Sequence, residues 1–263
     1  MDFNFNSLQI EKHNKFILIV TLSRPDVRNA INSDMISDFN VLWTELTNEP
    51  SELRCIIVTG ENDAFCAGAD LKERKNMTMN AWKSQVSQLR QSILSMMLCS
   101  IPIICAVNGP AYGGGLELIL ASDFAYASKT ATFAQSEVKL GIIPGALGTQ
   151  NLPKTCGLKR AKELIFSAEP FSAREAYDWG IVNKVCEPES LMSDVLIIAN
   201  KICENAPLAV REAKKSLNIA LESDTSTGFK KEFEYYQRTL TSKDREEGIA
   251  AFIEKRKPVF IGE

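Results

Sequence analysis

The sequence predicts an α/β core that gives way to a helical C-terminal region, and three observations carry that expectation. Continuous apolar runs bounded by turn residues recur at residues 16–22 (FILIVTL), 55–59 (CIIVT) and 103–107 (IICAV), as buried strands do. Helical spacing of apolar residues, or a glycine-led helix start, follows them. Beyond about residue 155 the runs stop and helical patterns dominate, so strands and helices alternate first and helices accumulate afterwards.

In chain order, residues 16–22 form the first strand. Asn32 or Ser33 can cap the next helix, whose apolar positions Met35, Ile36, Phe39, Leu42, Trp43 and Leu46 follow helical spacing. Residues 55–59 and 103–107 are the second and third strands. The uncharged stretch 91–116 is broken by Pro102, Asn108, Pro110 and Gly113 to Gly115. Its apolar part is shorter than the ~20 residues of a membrane span, so it reads as core. A short strand at 124–127 follows Asp123. Helical patterns then cover residues 158–167, 173–179, 191–204, 209–223, 228–240 and 244–255. The last carries Asp244, Glu246 and Glu247 at its start and Lys255, Arg256 and Lys257 at its end, which suits the helix dipole.

Composition excludes several classes. Thirty basic and 33 acidic side chains leave a charge of −3, with no electrostatic footprint for nucleic acid or an anionic membrane. A chain of 263 residues buries roughly three quarters of its unfolded surface and needs no covalent staples. The seven cysteines are odd in number, share no metal spacing and lie partly in apolar runs. Reduced, buried thiols and a cytoplasmic setting are expected. Residues 1–16 lack the ordered regions of a leader peptide. His13 is the only histidine, which removes Ser-His-Asp, Cys-His and His-based zinc chemistry. Carboxylates, backbone amides, Lys, Tyr and Cys remain.

Two segments are built to present backbone amides. Phe65-Cys66-Ala67-Gly68-Ala69-Asp70 follows the second strand, and its small residues admit close approach to the main chain. Asn108-Gly109-Pro110-Ala111-Tyr112-Gly113-Gly114-Gly115 joins the third strand to a helix, where free N–H groups and the dipole are both positive. Two amides converging on one oxygen would stabilise an oxyanion. The plainer alternative is a pair of tight turns packing helix on strand. Glu117, among Leu116, Leu118, Ile119 and Leu120, is an unusual neighbour for apolar residues, although a first-turn carboxylate also suits the dipole. A helix out and a strand back can bring Glu137 beside it, and two such carboxylates can divide acid and base roles.

Together these residues resemble the enoyl-CoA hydratase/isomerase (crotonase) family. The likeness runs through Ala64 to Lys72, Ala106-Val107-Asn108-Gly109 to Glu117, and Glu137 with Gly141-Ile142-Ile143-Pro144-Gly145. It implies a spiral of ββα units over residues 1–200, with the active site, and a helical region over 201–263 that forms trimers, usually paired into hexamers. By position, the Ala69 and Gly114 amides correspond to the oxyanion hole for the thioester oxygen. Glu117 and Glu137 correspond to the catalytic pair that adds water across an enoyl-CoA double bond. Arg28, Ala67, Gly68, Asp70 and Lys72 correspond to coenzyme A contacts, and Phe252 and Lys255 to contributions to a neighbouring subunit's site. No metal or redox cofactor is implied, because the coenzyme A belongs to the substrate.

Within the family, residues 65–74 (FCAGADLKER), 113–118 (GGGLEL) and 161–168 (AKELIFSA) look like the 3-methylglutaconyl-CoA hydratases. Some of those bind AU-rich RNA through a lysine-bearing helix. Here residues 30–52 hold Asp34, Asp38, Glu45, Glu49 and Glu52 and no Lys or Arg, so no RNA binding is expected. Leu147 and Asn151 stand where many relatives have Gly and Arg, which bears on acyl-chain preference. The alternatives are a Δ3,Δ2-enoyl-CoA isomerase and a non-catalytic acyl-CoA-binding protein of the same fold.

Overall fold

The computed structural model describes residues 4–48 and 52–263. Residues 1–3 of the N-terminal stretch and Glu49 of the acidic stretch lie outside the described residues. The strands are β1 (Leu8–Lys12), β2 (Ile17–Leu22), β3 (Cys55–Gly60), β4 (Ile103–Val107), β5 (Ala111–Tyr112), β6 (Phe124–Ser128), β7 (Thr132–Ala134), β8 (Phe171–Ser172) and β9 (Lys184–Cys186). The helices are α1 (Ser33–Asn48), α2 (Leu71–Lys75), α3 (Met79–Leu98), α4 (Gly114–Ala121), α5 (Gly148–Cys156), α6 (Leu158–Ser167), α7 (Ala173–Asp178), α8 (Leu191–Cys203), α9 (Pro207–Ile219), α10 (Thr225–Leu240) and α11 (Lys243–Glu254).

The main sheet has the order β1-β2-β3-β4-β6-β9, with β1 antiparallel to β2 and the other pairings parallel. A small second sheet has the order β5-β7-β8. Successive strands go one to each sheet: β4 then β5, β6 then β7. This is the expected crotonase-like spiral, an α/β architecture with a helical C-terminal region.

The continuous apolar runs follow from covering the main sheet on both faces. Ile17, Cys55, Ile57 and Ile104 point to α8, where they meet Leu191, Val195 and Ala199. Leu18, Val20, Ile56, Val58, Ile103 and Cys105 point the other way, into a core shared with Phe39 and Trp43 of α1 and Leu89 and Ile93 of α3. Asn32 is the cap of α1, because its Oδ1 accepts from Met35 N at 3.0 Å. The stretch 91–116 is indeed core: it supplies the end of α3, β4, β5 and the start of α4. The cysteines are free and six of the seven are buried. Among the described residues no helix is long and apolar enough to cross a membrane.

Two loops at the carboxyl ends of β3 and β4 are stitched together by main-chain bonds. Phe65 N and Cys66 N donate to Pro110 O, and Tyr112 N donates to Cys66 O. Asn108 reinforces the junction by donating to Asn62 O at 2.7 Å and accepting from Gly60 N at 3.1 Å. Ligand crevices in parallel sheets lie at such strand ends.

Candidate active site

Glycine lets the two loops approach. Gly68 has φ +90°, and a Cβ there would stand 2.6 Å from Tyr112 O and 3.5 Å from Gly114 N. A Cβ on Gly114 would stand 3.9 Å from Ala69 N. The Ala69 and Gly114 amides therefore lie side by side, Gly114 at the first position of α4, where an N–H has no partner inside the helix. Among the described residues neither amide has a hydrogen-bond acceptor. Two free donors aimed at one space can hold a developing oxyanion.

The two glutamates border the same space. Glu117, 3% exposed, sits in the first turns of α4. Its Oε1 accepts from Ala146 N at 2.8 Å and Gly148 N at 2.7 Å, so the loop before α5 holds one oxygen and leaves Oε2 without a protein partner. Glu137 opens a 3₁₀ turn, and its Oε1 accepts from Gln135 Nε2 at 2.9 Å. Its Oε2 is buried and has no partner among the described residues. Gly113, at φ +50°, makes room: a Cβ there would lie 3.0 Å from Glu137 Oε1. Among the described residues, each carboxylate thus has one anchored oxygen and one free of hydrogen bonds.

Burial sets their charge. Desolvation pushes Glu117 up to about 7, helped by the Glu137 charge and opposed by the two loop amides and Arg74. Desolvation also raises Glu137, opposed by Gln135 and Arg74. Near neutrality, such a pair can carry a proton and a lone pair at once.

Ala69, Gly114, Glu117 and Glu137 all line one cavity of about 420 Å³. Ala67 and Gly68 line it as well, and Trp82, Val86, Leu89, Leu140, Ile142 and Ile143 form its apolar walls. The other expected binding residues do not border it. Asp70 caps α2, accepting from Lys72 N and Glu73 N, and pairs with Arg24 at 3.1 Å. Arg28, exposed and left-handed at φ 51°, accepts from Ala67 N through its main-chain oxygen. Lys72 is exposed at the start of α2. Phe252 and Lys255 stand exposed at the end of α11. Leu147, at φ +76°, occupies a conformation that L side chains rarely adopt, between the two amides that grip Glu117. Asn151, on α5, is buried beside Met97.

Sequence reasoning missed Gln135, the Ala146 and Gly148 amides, and Arg74. Gln135 and the loop amides carry no residue-type signal. Arg74 sits in the run Lys72-Glu73-Arg74-Lys75, where a solvated face is the ordinary reading, yet it is buried.

This constellation, paired amides facing two carboxylates in a partly apolar cavity on a ββα spiral, has the form of an enzyme site able to stabilise an oxyanion and move protons. The enoyl-CoA hydratase/isomerase family model matches residues 12–263. The short-chain-enoyl-CoA hydratase of Clostridium acetobutylicum is 40% identical over 253 residues, 96% of each chain. The human mitochondrial methylglutaconyl-CoA hydratase is 37% identical over 259 residues, 97% of this chain and 76% of the relative. The crystal structure of an enoyl-CoA hydratase from Bacillus anthracis superposes with a TM-score of 0.95 at 37% identity, covering 98% of this chain and all of that one. The chain belongs to the enoyl-CoA hydratase/isomerase family. It is an enzyme of the enoyl-CoA hydratase type, a hydro-lyase.

Proposed function

We propose that this enzyme adds water, in the syn sense, across the α,β double bond of a short or branched 2-enoyl-CoA. The single observation that carries the reading is that, among the described residues, Glu117 and Glu137 each have one anchored and one unbonded oxygen, opposite two unpaired amides. In this mechanism the thioester oxygen sits between the Ala69 and Gly114 N–H groups, which stabilise the enolate as it forms. An oxyanion donor of this kind is worth about 10²–10³ in rate. Water lies between the two carboxylates. Glu117 takes its proton as hydroxide attacks the β-carbon, and Glu137 delivers a proton to the α-carbon. Burial raises both carboxyls, so the pair can hold one proton between them near neutrality, as an acid and base working together require.

The coenzyme A arrives with the substrate, and the chemistry as written needs no metal or redox group. Ala67 and Gly68 line the cavity and are suited to the thioester end. Asp70 supports them by capping α2, while Arg28 and Lys72 offer exposed cations nearby. Phe252 and Lys255 belong, in this proposal, to a neighbouring subunit's site in a homotrimer or dimer of trimers. The exposed faces of α10 and α11 support that assembly. A 3-methylglutaconyl-type substrate and a place in leucine degradation fall within the same proposal, as does a cytoplasmic setting.

The test follows the conjugated-thioester absorbance of crotonyl-CoA with wild type and Glu117→Gln. Rapid loss in wild type, slowed about 10²–10⁴-fold in the variant, is the expected result. No loss with any 2-enoyl-CoA would overturn the hydratase reading.

A further inference from the structure

The cavity that holds the glutamates contains one basic side chain among its described lining residues, Arg74. It is only 8% exposed. Its Nε–H donates to Gln85 Oε1 at 2.9 Å, and its guanidinium lies over the Trp82 ring with Cζ 5.5 Å from the centroid. Gln85 is itself fixed, donating to Ser33 Oγ at 3.0 Å and Glu73 Oε2 at 2.8 Å. The inner edge of the guanidinium is therefore clamped, and the orientation is set by buried neighbours rather than by solvent.

The outer edge is different. Among the described residues, no carboxylate lies within ion-pair distance of Arg74, and its Nη1 and Nη2 have no hydrogen-bond acceptor. Glu73, Glu117 and Glu137 are near enough to favour its charge, and none of them bonds to it. A largely buried guanidinium that lines the chamber therefore keeps four N–H donors for a bound acceptor. The acceptor that matches two parallel Nη donors is a carboxylate held in fork geometry. Coenzyme A is common to all thioester substrates, so the distinguishing anion must be on the acyl chain, which shares this apolar chamber with the glutamates.

We propose that Arg74 is an acyl-end anion receptor, and that the enzyme prefers 2-enoyl-CoA thioesters whose acyl chain ends in a carboxylate over plain alkyl ones. The proposal rests on the enoyl-CoA reading above and names the substrate class of that same site. A plain alkenyl chain would leave the guanidinium with no partner in a chamber closed by substrate. A terminal carboxylate would satisfy both Nη groups, and Trp82 and Gln85 would hold the fork in place as it did so. Arg74 is a binding residue in this scheme and takes no part in the proton transfers.

The decisive experiment measures binding of two unreactive saturated thioesters, glutaryl-CoA and butyryl-CoA, by calorimetry to wild type, Arg74→Met and Arg74→Lys. Wild type should bind glutaryl-CoA more tightly, and Arg74→Met should lose that preference by at least about 30-fold. Arg74→Lys, which keeps the charge and loses the fork, should recover part of it. In the kinetic arm, the ratio of kcat/KM for glutaconyl-CoA over crotonyl-CoA should fall in parallel. Equal binding of the two thioesters by wild type would overturn the proposal, as would an equal loss for both in a folded Arg74→Met. Binding needs no turnover, so a protein that prefers glutaryl-CoA but hydrates nothing would sink the hydratase reading and leave the anion receptor standing.

Discussion

The active-site loops and the C-terminal helices solve opposite problems. Around Gly68, Gly113 and Gly148 the main chain is drawn to within van der Waals contact of its neighbours, and polar groups have assigned partners down to single oxygens of Glu117 and Glu137. In α10 no residue is buried: Phe229, Phe233 and Tyr236 are 70%, 60% and 57% exposed, and Phe252 and Ile253 of α11 are more so. Leu217 of α9 and Leu221 just beyond it border an open cavity of about 530 Å³. Glu117, Glu137 and the two amides thus meet within one chain, while the C-terminal helices leave an apolar surface exposed. Chemistry demands sub-ångström placement, which local packing supplies, whereas the surface is the part reserved for the proposed assembly.

Four experiments would break or sharpen that contrast. The largest effect is expected from Glu137→Gln, which keeps the Gln135 contact but removes the proposed proton donor. Its kcat should fall about 10²–10⁴-fold with its melting temperature little changed. Next comes Gly68→Ala. The added Cβ meets Tyr112 O at 2.6 Å in a backbone conformation unsuited to it, so the Ala69 amide must move. A loss of about 10²-fold in kcat is expected, with acyl-CoA binding weakened less. On the other side of the comparison, the double change Phe229→Asp with Phe233→Asp should weaken self-association by about 2–4 kcal/mol, read by sedimentation. If the mass in solution is unmoved, the exposed face is not the interface.

The smallest effect concerns stability. Burial pushes Glu117 up to about 7 in the folded chain, against 4.5 for a free carboxyl. A raised folded pKa favours the fold below 4.5 and loses that advantage as pH rises through 7. Above pH 7 the buried charge is a burden that Glu117→Gln removes. At pH 8 the variant should be more stable by about 1–3 kcal/mol, since each unit of displacement corresponds to about 1.4 kcal/mol. The gap should narrow steadily between pH 7 and pH 4.5 in calorimetric melts.

Much of this was legible in the residues, and the omissions have physical causes. The runs at 16–22, 55–59 and 103–107 announced themselves because both faces of the main sheet are covered. Helix α3 left no clear pattern, since its buried face carries Gln85 and Ser92 along with Leu89, Ile93 and Met96. Strands β5 and β8 have two residues each, too few for any period. The amide pair was visible through its glycines and small neighbours. The grips on Glu117 come from the main chain of Ala146 and Gly148, whose residue types say nothing about them. Arg74 was hidden by its company: only packing against Trp82 and Gln85 distinguishes it from the lysines on either side.

The proposed oxyanion donors at Ala69 and Gly114 are main-chain atoms, and that has an evolutionary consequence. No single codon change deletes an amide N–H, except one that installs proline. The capacity to hold an enolate is therefore shielded from ordinary substitution at those two positions and exposed at their neighbours, where any side chain at Gly68 shifts the scaffold. Heritable information about this part of the site is stored largely as atoms that are absent. Only backbone surgery, an ester in place of the amide at residue 69 or 114, would remove a donor while leaving every side chain in place.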